Sequence, residues 1–143
     1  MPADEQGQAG TETDNEESER RLSNLAEISR EMVRIYKTQF GRGPTKARTA
    51  FAGPDLVVCT LEDSLTPVER RMAEIGDHER LRDLRLYFQH VIEGQFTEVI
   101  ERALGRSVRA FVSGMDTRKD VAAELFYLEP DVGPDPTEGV EID

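Results

Sequence analysis

The sequence predicts an α+β domain of two layers: a four-stranded antiparallel sheet with helices on one face, in the order α-ββ-α-α-ββ. Three observations carry this reading. Residues 17–40 and 78–104 place apolar side chains at helical spacing. Two pairs of short β-rich runs, KARTAF with LVVCTL and VRAFVSG with VAAELFYL, are each joined by turn-forming residues. Both pairs follow a Gly-Arg turn, GRGPTKARTAF and GRSVRAFVSG, so an α-ββ unit reads twice and is a candidate internal duplication. Sheets of consecutive hairpins with segregated helices are the α+β solution to burying one apolar face.

The first helix is expected from about Glu17 to Phe40, with Leu22, Leu25, Ile28, Met32, Ile35 and Phe40 near one face. Gly41 ends it, and Pro44 forbids its return. Residues 46–51 alternate as a strand, AGPD supplies the turn, and LVVCTL is a central-strand candidate. Thr66-Pro67-Val68-Glu69 reads as an N-cap, a proline at the first helical position and a glutamate that completes a capping box. That second helix ends near Gly76. One long helix is then expected from about His78 to Leu104, with Leu81, Leu84, Phe88, Val91, Ile92, Phe96, Val99 and Ala103 as its stripe and Gly94 as a site for a bend. VRAFVSG, the polar turn GMDTRKD and VAAELFYL close the domain.

Charge divides the chain. Residues 1–20 hold seven acids and one arginine, and residues 129–143 hold six acids and no base, so these ends carry 13 of the 29 acids. The remaining 21–128 carry 16 acids against 17 bases, so the net charge of -11 belongs to the ends. Segments this acidic and this poor in apolar residues are expected to be disordered. The domain reading is therefore a disordered tail 1–20, one α+β domain 21–130 and a disordered tail 131–143. No apolar run approaches the length of a membrane span, and no basic-then-apolar start marks a signal peptide. A single cysteine, Cys59, excludes an internal disulfide. A cytoplasmic protein is expected.

The candidate sites are few. GRGPTKART lacks the spacing of a phosphate loop, and its context is inverted, with a helix before it and a strand after. Its expected role is structural: Gly41 caps the helix and Arg42 complements the negative end of the helix dipole. Arg42, Lys46 and Arg48 by the first hairpin and Arg106 and Arg109 at the equivalent places of the second are candidates for binding an anion or an acidic partner, should packing join them into one band. Nucleic acid is disfavoured, because Phe51 and Phe111 are expected to pack inward rather than to form a stacking platform. His78 stands between Asp77 and Glu79, and His90 has no histidine three or four residues away; neither gathers the three convergent ligands of a zinc site, so no metal and no cofactor are assigned. Cys59 reads as a buried strand residue. No catalytic residue is assigned; Glu62, Asp63 and Arg106 are the only candidates for a small enzyme, and they qualify only if they meet around a concave pocket.

The turn Gly41-Arg42-Gly43-Pro44 through Lys46 and Ala47, Leu61-Glu62 with Leu65-Thr66-Pro67 and Glu69, Gly105-Arg106, and the closing Leu128-Glu129-Pro130 together resemble the small DUF2294 proteins. These are also described as the MpsC-like family, the C subunit of a sodium-translocating membrane-potential-generating system. The resemblance covers about residues 27–130. It implies a soluble accessory or regulatory binding module, possible partner of a membrane ion or inorganic-carbon transport system and peripheral to it, with no catalytic residues to carry over. The alternatives are a small enzyme using loop carboxylates and arginines, or an anion- or nucleic-acid-binding module. A homodimer is expected, because strands apolar on both sides leave one face of the sheet uncovered by a single layer of helices. Charges at Val57 or Phe126 are the expected probes of that interface.

Overall fold

The computed structural model describes residues 3–130, with side chains from residue 12 onward. Eight elements follow in order: α1 (Ala3–Phe40), β1 (Lys46–Phe51), β2 (Leu56–Glu62), α2 (Pro67–Glu74), α3 (His78–Val91), α4 (Glu93–Leu104), β3 (Val108–Asp116) and β4 (Val121–Leu128). The strands form one antiparallel sheet in the order β1-β2-β4-β3, with the two hairpins side by side. This is the α+β fold and element order expected from sequence.

The central pairing of β2 with β4 is antiparallel, so hairpin β1-β2 is related to hairpin β3-β4 by an approximate two-fold normal to the sheet. The helices preceding each hairpin end alike. Gly41 (φ 82°) and Gly105 (φ 65°) both take the left-handed conformation, and their amides bond back to the Lys37 and Glu101 carbonyls. A β-carbon is strained there, which is why the Gly-Arg turn occurs twice.

Alternation decides which face is buried. Val57, Cys59 and Leu61 of β2 and Ala122, Glu124, Phe126 and Leu128 of β4 point under the helices. Ile28, Met32, Ile35 and Tyr36 of α1 and Phe96, Val99 and Ile100 of α4 cover them, with Ile92 between α3 and α4. Tyr36, Phe96, Phe111 and Phe126 form a chain of rings with centroids 5.2–5.9 Å apart. Fully burying one such aromatic or aliphatic side chain contributes about 1.5–3 kcal/mol. Val57 and Phe126 therefore lie in the core; a charge at either probes folding rather than an intermolecular face. The opposite face carries Val58 and Leu125.

Two boundaries differ from expectation. The helix expected over 78–104 is two helices, broken at Ile92, whose backbone (φ -97°, ψ 10°) leaves the helical region one residue before Glu93. The break re-aims α4. Within α3 the buried positions are Leu81, Arg85 and Gln89, while Leu84 and Val91 are exposed. Apolar character alone chose the wrong side of α3, because two of its buried positions are polar. At the other end, α1 starts at Ala3 rather than near Glu17, so residues 3–20, expected to be disordered, are helical. Extending a helix already nucleated by a packed segment needs only propagation, and acids in its first turns favour the positive end of its dipole. Residues 12–23 of α1 are exposed. The stretch 131–143 lies outside the described residues.

Candidate functional site: a buried polar cluster under the helices

One row of the sheet is polar across all four strands. The register aligns Thr49 of β1, Cys59 of β2, Glu124 of β4 and Ser113 of β3 on the helix-covered face. Rows on either side are apolar: Phe51, Val57, Phe126 and Phe111 to one side, Ala47, Leu61, Ala122 and Met115 to the other. The helices supply partners to the polar row. The Tyr36 hydroxyl donates to Glu124 Oε1 at 2.6 Å. Gln89 Nε2 donates to the Tyr36 oxygen at 2.6 Å, and Ser113 Oγ donates to Gln89 Oε1 at 3.0 Å. Ser29 and Thr49 share a hydroxyl–hydroxyl bond of 2.8 Å.

Glu124 is fully buried, and among the described residues its Oε2 has no hydrogen-bond partner. Burial pushes its carboxyl up to about 7, with the Ser113 and Tyr36 hydroxyls working the other way. The neutral acid is thus favoured in the fold up to neutral pH. Burial also pushes the Cys59 thiol up to about 11, against the lowering effect of Thr49. A thiol so held is a poor nucleophile, as expected for a buried strand cysteine. Burial and then the Glu124 charge raise the Tyr36 phenol well above its usual range.

Arg85 is the second buried ionic group. It stacks 3.8 Å from the Phe40 ring centre, donates to the Ser64 carbonyl at 2.8 Å and grips Glu69 through Nε (2.5 Å) and Nη2 (2.6 Å). Burial works to raise the Glu69 carboxyl, but Arg85 and the Thr66 amide outweigh it and hold it below the usual range. Glu69 is also the capping-box residue of α2: Thr66 N donates to its Oε1 at 2.9 Å, and its own amide donates to Thr66 Oγ1 at 3.3 Å. The sequence-predicted cap is present, and Arg85 bolts it to α3.

The five basic candidates do not form one band. The approximate two-fold places equivalent positions at diagonally opposite corners of the sheet, since Lys46 pairs with the end of β2 and Val108 with the end of β4. Arg42 does not serve the helix end; it donates to the carbonyls of Asp63 and Leu65, both at 2.8 Å, and pairs with the Asp63 carboxylate at 3.0 Å. Arg106 ties Pro54 O, Asp55 and Glu129 O together. Lys46 lies 3.8 Å from Glu62, Arg109 sits over the Tyr127 ring, and Arg48 is exposed. Asp63, held below the usual carboxylate range first by its bond from Arg42, closes a lattice of charges with Arg42, Arg70 and Asp120. Glu62 and Asp63 stand at one end of β2 and Arg106 at the other, beside Asp55. A seven-residue strand separates these ends by roughly 20 Å, so the three candidates for an enzyme do not meet.

Two surface depressions border the turn before α3, and neither is lined by Glu62, Asp63 or Arg106. One of about 360 Å³ is lined by His78, Glu79, Arg82, Asp116, Thr117 and Arg118. A neighbour of about 460 Å³ shares His78, Thr117 and Arg118. His78 Nδ1 lies 3.3 Å from Thr117 Oγ1. His90 is exposed, edge-on to Phe111. Among the described residues no three His, Cys, Asp or Glu side chains converge as a metal-binding group, and no helix is long and apolar enough to cross a membrane.

Sequence reasoning missed Glu124, Tyr36, Gln89 and Arg85, though two signals were present. Glu124 is in phase with Ala122, Phe126 and Leu128, which marks it as inward-facing. Arg85 and Gln89 continue the spacing Leu81, Ile92, Phe96. No curated protein and no solved structure matches the chain. Residues 21–130 match the MpsC family, described as a Na+-translocating membrane potential-generating system, and the chain belongs to that family.

Proposed function

We propose that this member of the MpsC family is a non-catalytic, cytoplasmic accessory or regulatory module that works as a homodimer, docked peripherally on the membrane components of an ion or inorganic-carbon transport system. The observation that carries the reading is the allocation of its reactive groups. Arg42, Arg85 and Arg106 are spent on loop carbonyls and on the carboxylates of Asp63, Glu69 and Asp55, and Glu62, Asp63 and Arg106 are split between the two ends of β2. Family membership supports a role in the membrane-potential system, and the apolar outer face of the sheet supports association with another protein surface.

The test is fractionation. Host membranes containing or lacking the ion-translocating membrane subunits are incubated with the purified chain and sedimented. Retention by the first alone, reversed by high salt or by excess untagged chain, is the expected result. Equal recovery in both supernatants overturns the docking role. The dimer is tested separately by light scattering, where a mass near twice 16.1 kDa is expected at micromolar concentration.

A further inference from the structure

The sheet has a second face, and its pattern is unusual for one turned to solvent. Antiparallel sheets commonly alternate apolar-in with polar-out. Here the outward row Ala50, Val58, Leu125 and Val112 is apolar across all four strands. The row above it, Leu56, Tyr127 and Ala110, is apolar as well, with the Arg109 guanidinium over the Tyr127 ring. Val112 is 49% exposed. Next comes Arg48, Thr60, Ala123 and Gly114, and charge is concentrated in the last row: Lys46, Glu62, Val121 and Asp116. Among the described residues no helix covers this face: α1 and α4 pack on the other, and α3 meets that other face where Ser113 bonds to Gln89.

We propose that this face is the seam of the homodimer and that two copies stack face to face about a two-fold axis parallel to the strands. The inference rests on the dimeric reading above and adds its surface and geometry. Two in-plane axes can stack a sheet on itself. An axis across the strands sets the charged row of one copy against the Leu56–Tyr127 row of the other, so that the Lys46–Glu62 pair and Asp116, which accepts two amides of its own turn, lose water and gain no charge across the seam, which is costly. An axis along the strands keeps every row opposite itself and reverses strand order. β1 then faces β3 of the partner, Lys46 meets Asp116, and the apolar rows meet each other. Charge complementarity therefore selects both the occupant and the axis.

Size is consistent with this occupant. Four strands spaced about 4.8 Å apart and about 24 Å long give roughly 450 Å² of flat face per copy. Two such faces bury roughly 1,000 Å² or somewhat more once side-chain relief is counted, the lower end of specific interfaces. The C-terminal stretch 131–143 is a poor alternative, since its only large apolar residues are Val132, Val140 and Ile142, and it carries five acids. Aligned sheet packing crosses strands at about 30° with faces about 10 Å apart, and the small residues Ala50, Ala110, Ala123 and Gly114 permit that approach.

The experiment uses the full chain. Val112→Lys, at a half-exposed edge-strand position where the fold is not at stake, places a cation against the Arg48 strand of the partner. It is expected to weaken dimerisation at least about ten-fold in sedimentation equilibrium, while Val112→Ile retains it. Independently, Ala50→Cys with Val112→Cys in one chain is treated with a short bismaleimide. Covalent dimer is expected from the double variant and from neither single variant, because only the strand-parallel axis brings these two positions together; Cys59 is buried and does not compete. A wild-type dimer that is indifferent to Val112→Lys and yields no cross-link overturns the seam and leaves the dimer standing. Cross-linking by Ala50→Cys alone selects the other axis and overturns the proposed one. A wild-type mass near 16.1 kDa across the dilution series overturns both.

Discussion

Glu124 is a carboxyl without solvent in the middle of a sheet, and its protonation is part of the fold's stability. Its folded value of about 7 lies above the unfolded value of 4.5. Stability from the neutral acid is fully present below the unfolded value and is lost as pH rises through the folded value. The wild type is thus expected to lose on the order of 3 kcal/mol between pH 5 and pH 8 from this group. Glu124→Gln removes the titration, so its urea midpoint should change far less over that range, and it should be the more stable protein at pH 8. A parallel pH dependence in both proteins would assign the slope to other groups. Arg85 contributes through its ion pair with Glu69. Arg85→Ala strips Glu69 of its partner in a half-buried setting and is expected to cost about 3 kcal/mol. Glu69→Gln in the Arg85→Ala background should cost little more, and denaturation of the two single variants and the double variant measures that coupling.

At the scale of elements, α2 depends on its cap. It is eight residues long and has no buried side chain, so burial does little to hold it. Thr66→Ala is expected to destabilise the protein by about 0.5–2 kcal/mol. Loss of protection of the Arg70 amide, which bonds to the Thr66 carbonyl at 2.9 Å, would report it locally by hydrogen exchange. This cap was legible in the sequence because its chemistry is local: four consecutive residues contain the whole motif. The four strands were legible for the same reason, their alternation and turns being written within each hairpin. The polar row was not, because Thr49, Cys59, Ser113 and Glu124 come together only when register joins four strands, and Tyr36 and Gln89 arrive from two further helices. The choice of buried face on β2 and β4 was hidden as well. Val57-Cys59-Leu61 and Leu56-Val58-Thr60 are nearly equal in apolarity, so only the helices decide between them.

At the scale of the molecule, the body is the sheet and its helical cover, and residues 12–20 of α1 stand exposed. Arg21 over the Phe51 ring at 4.3 Å marks where that helix meets the sheet. Removing residues 1–18 is expected to shift the unfolding midpoint by less than about 0.5 kcal/mol in free energy, since residues 12–20 are exposed surface. A larger loss would mean that the extension is seated on something. The same truncation removes six of the chain's acids from the N-terminal end and should raise the isoelectric point above 4.7.

The strand order also sets how the chain reaches its structure. Each hairpin closes across a short turn, within the microsecond range of such events. Their union does not: β2–β4 contacts join Leu61 to Ala122 and Leu56 to Tyr127, separations of 61 and 71 residues. The chain must close that long loop, with three helices inside it, before the central seam yields any stabilisation. The rate-limiting barrier is therefore expected to be the meeting of the two hairpins. Ala122→Gly, at the seam, should slow refolding as well as speed unfolding in stopped-flow chevrons, whereas the cap variant Thr66→Ala should act almost wholly on the unfolding limb.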